Sequence, residues 1–309
     1  MKRVDEIDFL KGVLILLVIG FHLVWFEQLH PAMKQVVYSF HMPGFLFVSG
    51  YLMNVGKGPK AFSRTLLWLA VPYMVMESGY IVMASLLPIN EHIERLTPTV
   101  FLDRLLLHPL GPYWYLHCLI LCGTLYFFIF NRLRRGLTTR FLLIFAAYYA
   151  VARGLGILSF SSALYFLAGA SLRQNGGDFV SFFCPSWRSV AAFVLLVVFA
   201  ESPTQASLVG ALIAWTAVSS LLFLYRFLPS RAKTTGFFLG RNSLPLYVFS
   251  PVFTVLTKRF VPYLAFDGTG ILFLLVSLAF CVGGSLLVAW MTDLTGTSRY
   301  LFGRRALTT

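Results

Sequence analysis

The side chains able to do chemistry in this sequence are few, and two of them share one apolar stretch. Lys11 and His22 are the only ionisable residues in Phe9–Phe26. At eleven residues apart, they fall on nearly the same face of a continuous helix, about 16 Å apart along its axis. Imidazole suits proton transfer near neutral pH, and an ammonium group suits holding an anion. Ionisable groups in an apolar helix are costly to insert into lipid and ordinarily face a bundle interior or a wet cavity.

Three further polar residues fall at comparable depth in other apolar segments. His41 lies in Phe40-His41-Met42-Pro43-Gly44, where Pro43 removes a backbone donor and is expected to kink the helix. Counting about 1.5 Å per residue through a core of about 30 Å places His22 and His41 at similar heights, sharing one pocket if their helices are neighbours. Glu77 and Arg153 reach roughly the same level, so His22, His41, Glu77 and Arg153 read as one buried polar layer. Each is also explicable as a structural residue that is paired or snorkelling.

These residues must be positioned by membrane helices. Hydrophobic residues make up 58% of the 309, charged residues only 12%, and Phe alone occurs 31 times. The chain therefore reads as an all-α polytopic membrane protein, one integral-membrane domain over 1–309. Ten apolar segments can be drawn, the first five at Phe9–Phe26, Val36–Met53, Leu66–Leu87, Tyr113–Phe130 and Phe141–Leu158. The other five are Ser161–Leu172, Val190–Ala200, Ser207–Phe227, Ser243–Phe260 and Gly270–Asp293.

With ten crossings and both termini cytoplasmic, only Lys34, Arg95, Arg104, Arg153, Lys258 and Arg259 lie on the outer side or outer half. That is a strong positive-inside bias, and it accounts for the net charge of +13 without any nucleic-acid partner. The basic, then apolar N-terminus is interrupted by Asp5, Glu6, Asp8 and Lys11 and reads as a retained anchor rather than a cleaved signal. The loop Pro88–Pro112 has the composition of an amphipathic surface helix. Cys118, Cys122, Cys184 and Cys281 lack metal-ligand spacing and read as buried reduced thiols, so no metal is expected.

Several motifs, in order along the chain, resemble the membrane acyltransferase family 3, which includes bacterial O-acetyltransferases of surface glycans. Asp8-Phe9-Leu10-Lys11-Gly12 followed by His22 resembles its opening helix. Phe40-His41-Met42-Pro43 through Ser49-Gly50-Tyr51 resembles its second-helix signature. Arg64 to Pro72-Tyr73, Trp114-Tyr115-Leu116, and Leu239-Gly240-Arg241-Asn242-Ser243-Leu244 with Tyr247 resemble later landmarks. Two positions depart: Leu67 stands where many members carry a second cation, and Ser250 where many carry His. No long extension forms a separate periplasmic domain.

The resemblance implies acyl transfer, by default acetyl, from acyl-coenzyme A to a hydroxyl of an envelope carbohydrate or glycolipid. His22 would be the general base; His41 would orient it, bind the acceptor or donate to the oxyanion; Lys11 and Arg64 would hold coenzyme A phosphates. A covalent acyl-histidine is a variant of the same chemistry. Glu77, Trp114 and Arg153 are the substrate-binding candidates, although Tyr113-Trp114-Tyr115 also reads as an interfacial aromatic belt. The implied setting is a bacterial inner membrane, with lipid as partner and a homo-oligomer or a glycan-assembly machine compatible with the chain.

No HExxH, Walker loop, GxSxG elbow or GxGxxG fingerprint occurs, which argues against metalloprotease, ATPase, serine hydrolase and dinucleotide enzymes. A transporter or exporter of a glycan or small anion is the alternative, since intramembrane His, Glu and Arg also line transport pathways. A non-catalytic partner in polysaccharide assembly is the third reading.

Overall fold

A computed structural model describes residues 4–86, 91–200, 204–304 and 306–308. Among these, regular structure is entirely helical. In chain order come α1 (Asp5–Gly20), α2 (Val24–Leu29), α3 (Pro31–Leu52), α4 (Pro59–Leu86) and α5 (Pro98–Leu106). Next are α6 (Trp114–Arg132), α7 (Leu137–Ala150), α8 (Phe160–Gln174), α9 (Phe179–Phe183), α10 (Trp187–Phe199) and α11 (Leu208–Tyr225). The last are α12 (Ser230–Arg241), α13 (Ser243–Leu256), α14 (Val261–Leu264), α15 (Ile271–Leu294) and α16 (Ser298–Leu301).

Each of the ten apolar segments thus contains a helix. Among the described residues, four helices are long and apolar enough to cross a membrane by length and composition: Pro59–Leu86, Gly111–Arg132, Leu208–Tyr225 and Ile271–Leu294. Two of the other segments are divided by local breaks. The first segment breaks, giving a 16-residue α1 and a 6-residue α2. The fifth segment changes at residue 151 from α-helix to a π turn, Val151–Leu155, ended by Gly156 at φ 71°. The expected surface helix is α5, begun by Thr97, whose hydroxyl accepts the Val100 N–H; Pro88, where that loop begins, lies outside the described residues.

Two helix crossings bring the first, second and sixth apolar segments into the interior. A Cβ added at Gly12 of α1 would overlap the Gly236 carbonyl of α12, and one at Gly240 would overlap the Asp8 carbonyl. The α3–α8 crossing works the same way, with Gly50 against the Phe166 carbonyl and Gly169 against the Phe47 carbonyl. Small residues spaced a turn apart allow such backbone-to-backbone approach in bundles without a hydrophobic gradient to drive them. These contacts bury Leu10, Leu14, Ile15 and Ile19 of α1 and Leu46 and Val48 of α3. α1 and α3 also pack directly against each other.

Candidate functional site

The break after Gly20 creates the site. At the end of α1 the carbonyls of Leu17, Ile19 and Gly20 accept the N–H groups of Phe21, His22 and Leu23. In this turn Val18 O is passed over by the backbone, and His22 Nδ1 donates to it at 2.6 Å. A helix end leaves carbonyls to be satisfied by side chains; here one satisfies it and fixes the imidazole at the same time. A carbonyl can only accept, so in the neutral ring the proton sits on Nδ1 and Nε2 keeps its lone pair. His22 therefore lies in a turn, not on the continuous helix that its spacing from Lys11 suggests.

His41 repeats the arrangement inside α3, with Nδ1 donating to Val37 O at 2.6 Å. α3 runs on as one helix through Pro43. Between the two imidazoles lies Tyr38, stacked on His22 at 6.1 Å between ring centroids and tilted against His41 at 5.1 Å. The Tyr38 hydroxyl donates to Phe21 O at 2.9 Å. The sequence pattern carries a sign of this residue: Tyr38 stands three positions before His41, one turn away on the same face.

Two cavities of about 580 and 430 Å³ meet at Val18, His22, Lys34, Tyr38, Pro112 and Tyr247. One branch is lined by His41, Gln35, Ser39, Trp114, Thr204 and Gln205. The other passes Glu27, Tyr80, Glu91, Ser250, Thr254 and Lys258. Lys34 is paired with Glu27 at 3.0 Å, so that corner carries little net charge. His22 is exposed in this space, whereas only 2% of His41 is accessible.

The 110–113 turn that lines both branches is tied down by carboxylates. Glu77, fully buried on α4, accepts the Leu110 N–H at 2.6 Å, and Glu91 accepts the Gly111 N–H at 2.6 Å. The Tyr247 hydroxyl donates to Pro112 O, and the Tyr113 hydroxyl donates to Val248 O at 2.9 Å. The Tyr115 hydroxyl and Ser49 Oγ are 2.6 Å apart. Tyr113 and Tyr115 are thus interior packing and hydrogen-bonding groups. Trp114 faces the cavity, so this trio does not form an aromatic belt.

A third cavity, about 730 Å³, is lined by the cations Lys57, Lys60, Arg64 and Arg304 together with Thr65, Trp68 and Leu244. It approaches the His22 cavity along α13: Leu244 lines the basic space, and Tyr247 lines the other. Three residues of α-helix separate these by about 4.5 Å along the axis. Leu67 is half exposed and lies outside the basic cavity, and Ser250 faces the second branch of the His22 cavity.

The structure brings His22, His41 and Trp114 to one space and Arg64 to the adjoining one. It does not bring the other expected residues there. Lys11 is held by Asp8 at 2.9 Å, and Asp8 also lies 3.6 Å from Arg241 of α12, so this cation serves the α1–α12 junction. Glu77 binds backbone rather than the cavity. Arg153 is exposed on the π turn beyond α7 and lines none of the three cavities, so the four-residue polar layer does not form. Equal depth places residues in a plane but does not say which way each faces. Among the cysteines, Cys118, Cys122 and Cys281 are buried and free, while Cys184 is exposed. Arg304 has no precursor signal in the sequence, because it reaches Arg64 only through tertiary packing.

No curated protein and no solved structure matches this chain. A family described as an acyltransferase domain matches residues 4–290, a span that holds both histidines, Arg64 and the 110–113 turn. The chain therefore belongs to the acyltransferase 3 family of membrane-type acyltransferases.

Proposed function

We propose that the protein transfers an acyl group, by default acetyl, from acyl-coenzyme A to a hydroxyl of an envelope carbohydrate or glycolipid. The observation that carries this reading is the His22 imidazole, whose Nδ1 is committed to Val18 O while Nε2 is left as an acceptor at a cavity. Nε2 takes the hydroxyl proton as the acceptor oxygen attacks the thioester carbonyl. The tetrahedral oxyanion collapses, the C–S bond breaks, and the proton passes to the leaving coenzyme A thiolate. A thioester is already activated, so positioning and one well-placed base supply most of what the reaction requires.

Arg64, with Lys57 and Lys60, suits the phosphates of the donor. The closeness of the basic cavity to Tyr247 lets an extended thiol arm pass from one space to the other along α13. Trp114, Gln35 and Gln205 suit a hydroxyl-rich acceptor, the flat indole taking a sugar face. His41, also oriented through Nδ1, is the group placed to bind the acceptor beside His22. In this reading the chain crosses a bacterial inner membrane ten times with both termini in the cytoplasm, and the basic cavity faces the coenzyme A pool.

The test is an assay of purified protein with radiolabelled acetyl-coenzyme A and candidate glycans, following free thiol and labelled ester together. Thiol release that depends on acceptor and disappears in His22→Ala supports the reading. Glycan or anion flux across proteoliposomes with no thiol release would replace it with the transport alternative.

A further inference from the structure

The basic cavity has a wall that the family match does not assign. Residues 298–304 and 306–308 lie beyond the matched 4–290, yet they fold back as a strap fixed on both sides of Arg304. On one side, Phe302 is buried, 6.1 Å from the Phe249 ring. Gly303 adopts φ +65° directly against Trp68, where any Cβ would overlap the indole. On the other side, the Asp293 carboxylate accepts the Leu307 N–H at 2.8 Å, the Thr308 N–H at 3.1 Å and the Thr308 hydroxyl at 2.9 Å. Leu307 is buried.

Arg304 is thereby held where Lys57, Lys60 and Arg64 line the same cavity. Among the described residues none of the four has an acidic side chain within ion-pair distance. Every acidic ion-pair partner of the described residues is spent elsewhere, on Lys11, Lys34, Arg104, His108 and Arg241. Four like charges around one space repel unless an anion occupies it. A volume of about 730 Å³ lies within the range of small-molecule sites. Cations beside an indole suit a ligand with several phosphates and a planar base.

We infer that the strap, through Phe302, Gly303 and Arg304, completes the donor site and that Arg304 is a phosphate-binding residue for the nucleotide end of the acyl donor. This rests on the acyl-coenzyme A reading above. The planar guanidinium can take two phosphate oxygens at once, which a lysine cannot.

The experiment compares wild type, Arg304→Ala, Arg304→Lys and His22→Ala in zwitterionic nanodiscs, measuring coenzyme A affinity by calorimetry and acetyl-coenzyme A kinetics. Arg304→Ala should weaken coenzyme A binding and raise the donor KM about tenfold, the size expected of one charge-assisted hydrogen bond. Its kcat at saturating donor should change less than twofold. Arg304→Lys should recover part of the loss, and His22→Ala should bind coenzyme A as wild type does. Arg304→Ala with wild-type affinity and KM overturns the strap assignment while leaving the donor reading intact. Wild type that binds no coenzyme A overturns both. A second set of nanodiscs containing phosphatidylglycerol separates a lipid headgroup from the nucleotide: if Arg304→Ala alters retention of that lipid but not coenzyme A affinity, the donor assignment is overturned.

Discussion

His22 Nδ1 lies 2.6 Å from the carbonyl oxygen of Val18, four residues back on the helix that ends just before it. One hydrogen bond thus settles both the end of α1 and the tautomer of the imidazole. Replacing His22 by Ala removes the base, and a general base contributes about 10²- to 10⁴-fold. His22→Ala should lose at least the lower of these in kcat while retaining the wild-type thermal midpoint within a few degrees. Because Nε2 must be unprotonated to act, wild-type kcat/KM should fall on the acid limb with a slope of one proton.

Tyr38 separates the two imidazoles and donates to Phe21 O. Tyr38→Phe keeps the ring and removes one hydrogen bond, a loss of about 1 kcal/mol in stability. Tyr38→Leu also removes the aromatic spacer. It should reduce kcat well beyond the Phe variant, with the donor KM unchanged, as measured by steady-state kinetics on both.

Glu77 holds the 110–113 turn through the Leu110 N–H. Glu77→Leu leaves that donor buried without a partner, costing about 1–3 kcal/mol. Glu77→Gln retains an acceptor and should be milder. If Glu77 positions Pro112, thermal melting should rank Leu below Gln below wild type, and the acceptor KM should rise in the same order. A direct substrate role would instead change KM with no change in melting.

The α1–α12 crossing leaves no room for a methyl group at Gly12 or Gly240. Forcing one between two backbones costs about 1–3 kcal/mol, occasionally more. Gly12→Ala and Gly240→Ala should each lower the thermal midpoint. Gly136→Ala, where nothing lies within 4 Å of the new methyl group, should not.

Asp267 caps the start of α15, accepting from the Thr269 hydroxyl at 2.6 Å and the Leu272 N–H at 2.8 Å. The Thr269 hydroxyl, followed by that N–H, holds its carboxyl below the ordinary value of about 3.9. A depressed folded-state pKa gives stability that is present above the unfolded value and lost as pH falls through the folded one. Wild type should melt above Asp267→Ala at pH 7, and the gap between the two curves should begin to narrow only as pH falls below about 4, closing further as pH passes the depressed folded-state value.

Much of this protein is legible in its residues taken in order. The long apolar runs dictate helices, since backbone groups in lipid must bond within their own segment. His22 and His41, expected to share a pocket, line one cavity, because a short connection makes their helices neighbours. Arg153 shows where that reasoning ends: a π turn carries it to an exposed position away from the cavities.

Lys11 makes the same point through charge. Its spacing to His22 is a property of the chain, whereas its pairing with Asp8 and the nearby Arg241 depends on α12 crossing α1 at Gly12 and Gly240. Helical class and apolar character followed from local composition and periodicity, which act over one or two turns. The break after Gly20, the Tyr38 spacer, the backbone role of Glu77 and the arrival of Arg304 beside Arg64 were decided only by tertiary structure. Partner choice for a charge or a carbonyl is a competition among groups distant in sequence, and packing alone determines which of them arrive within reach.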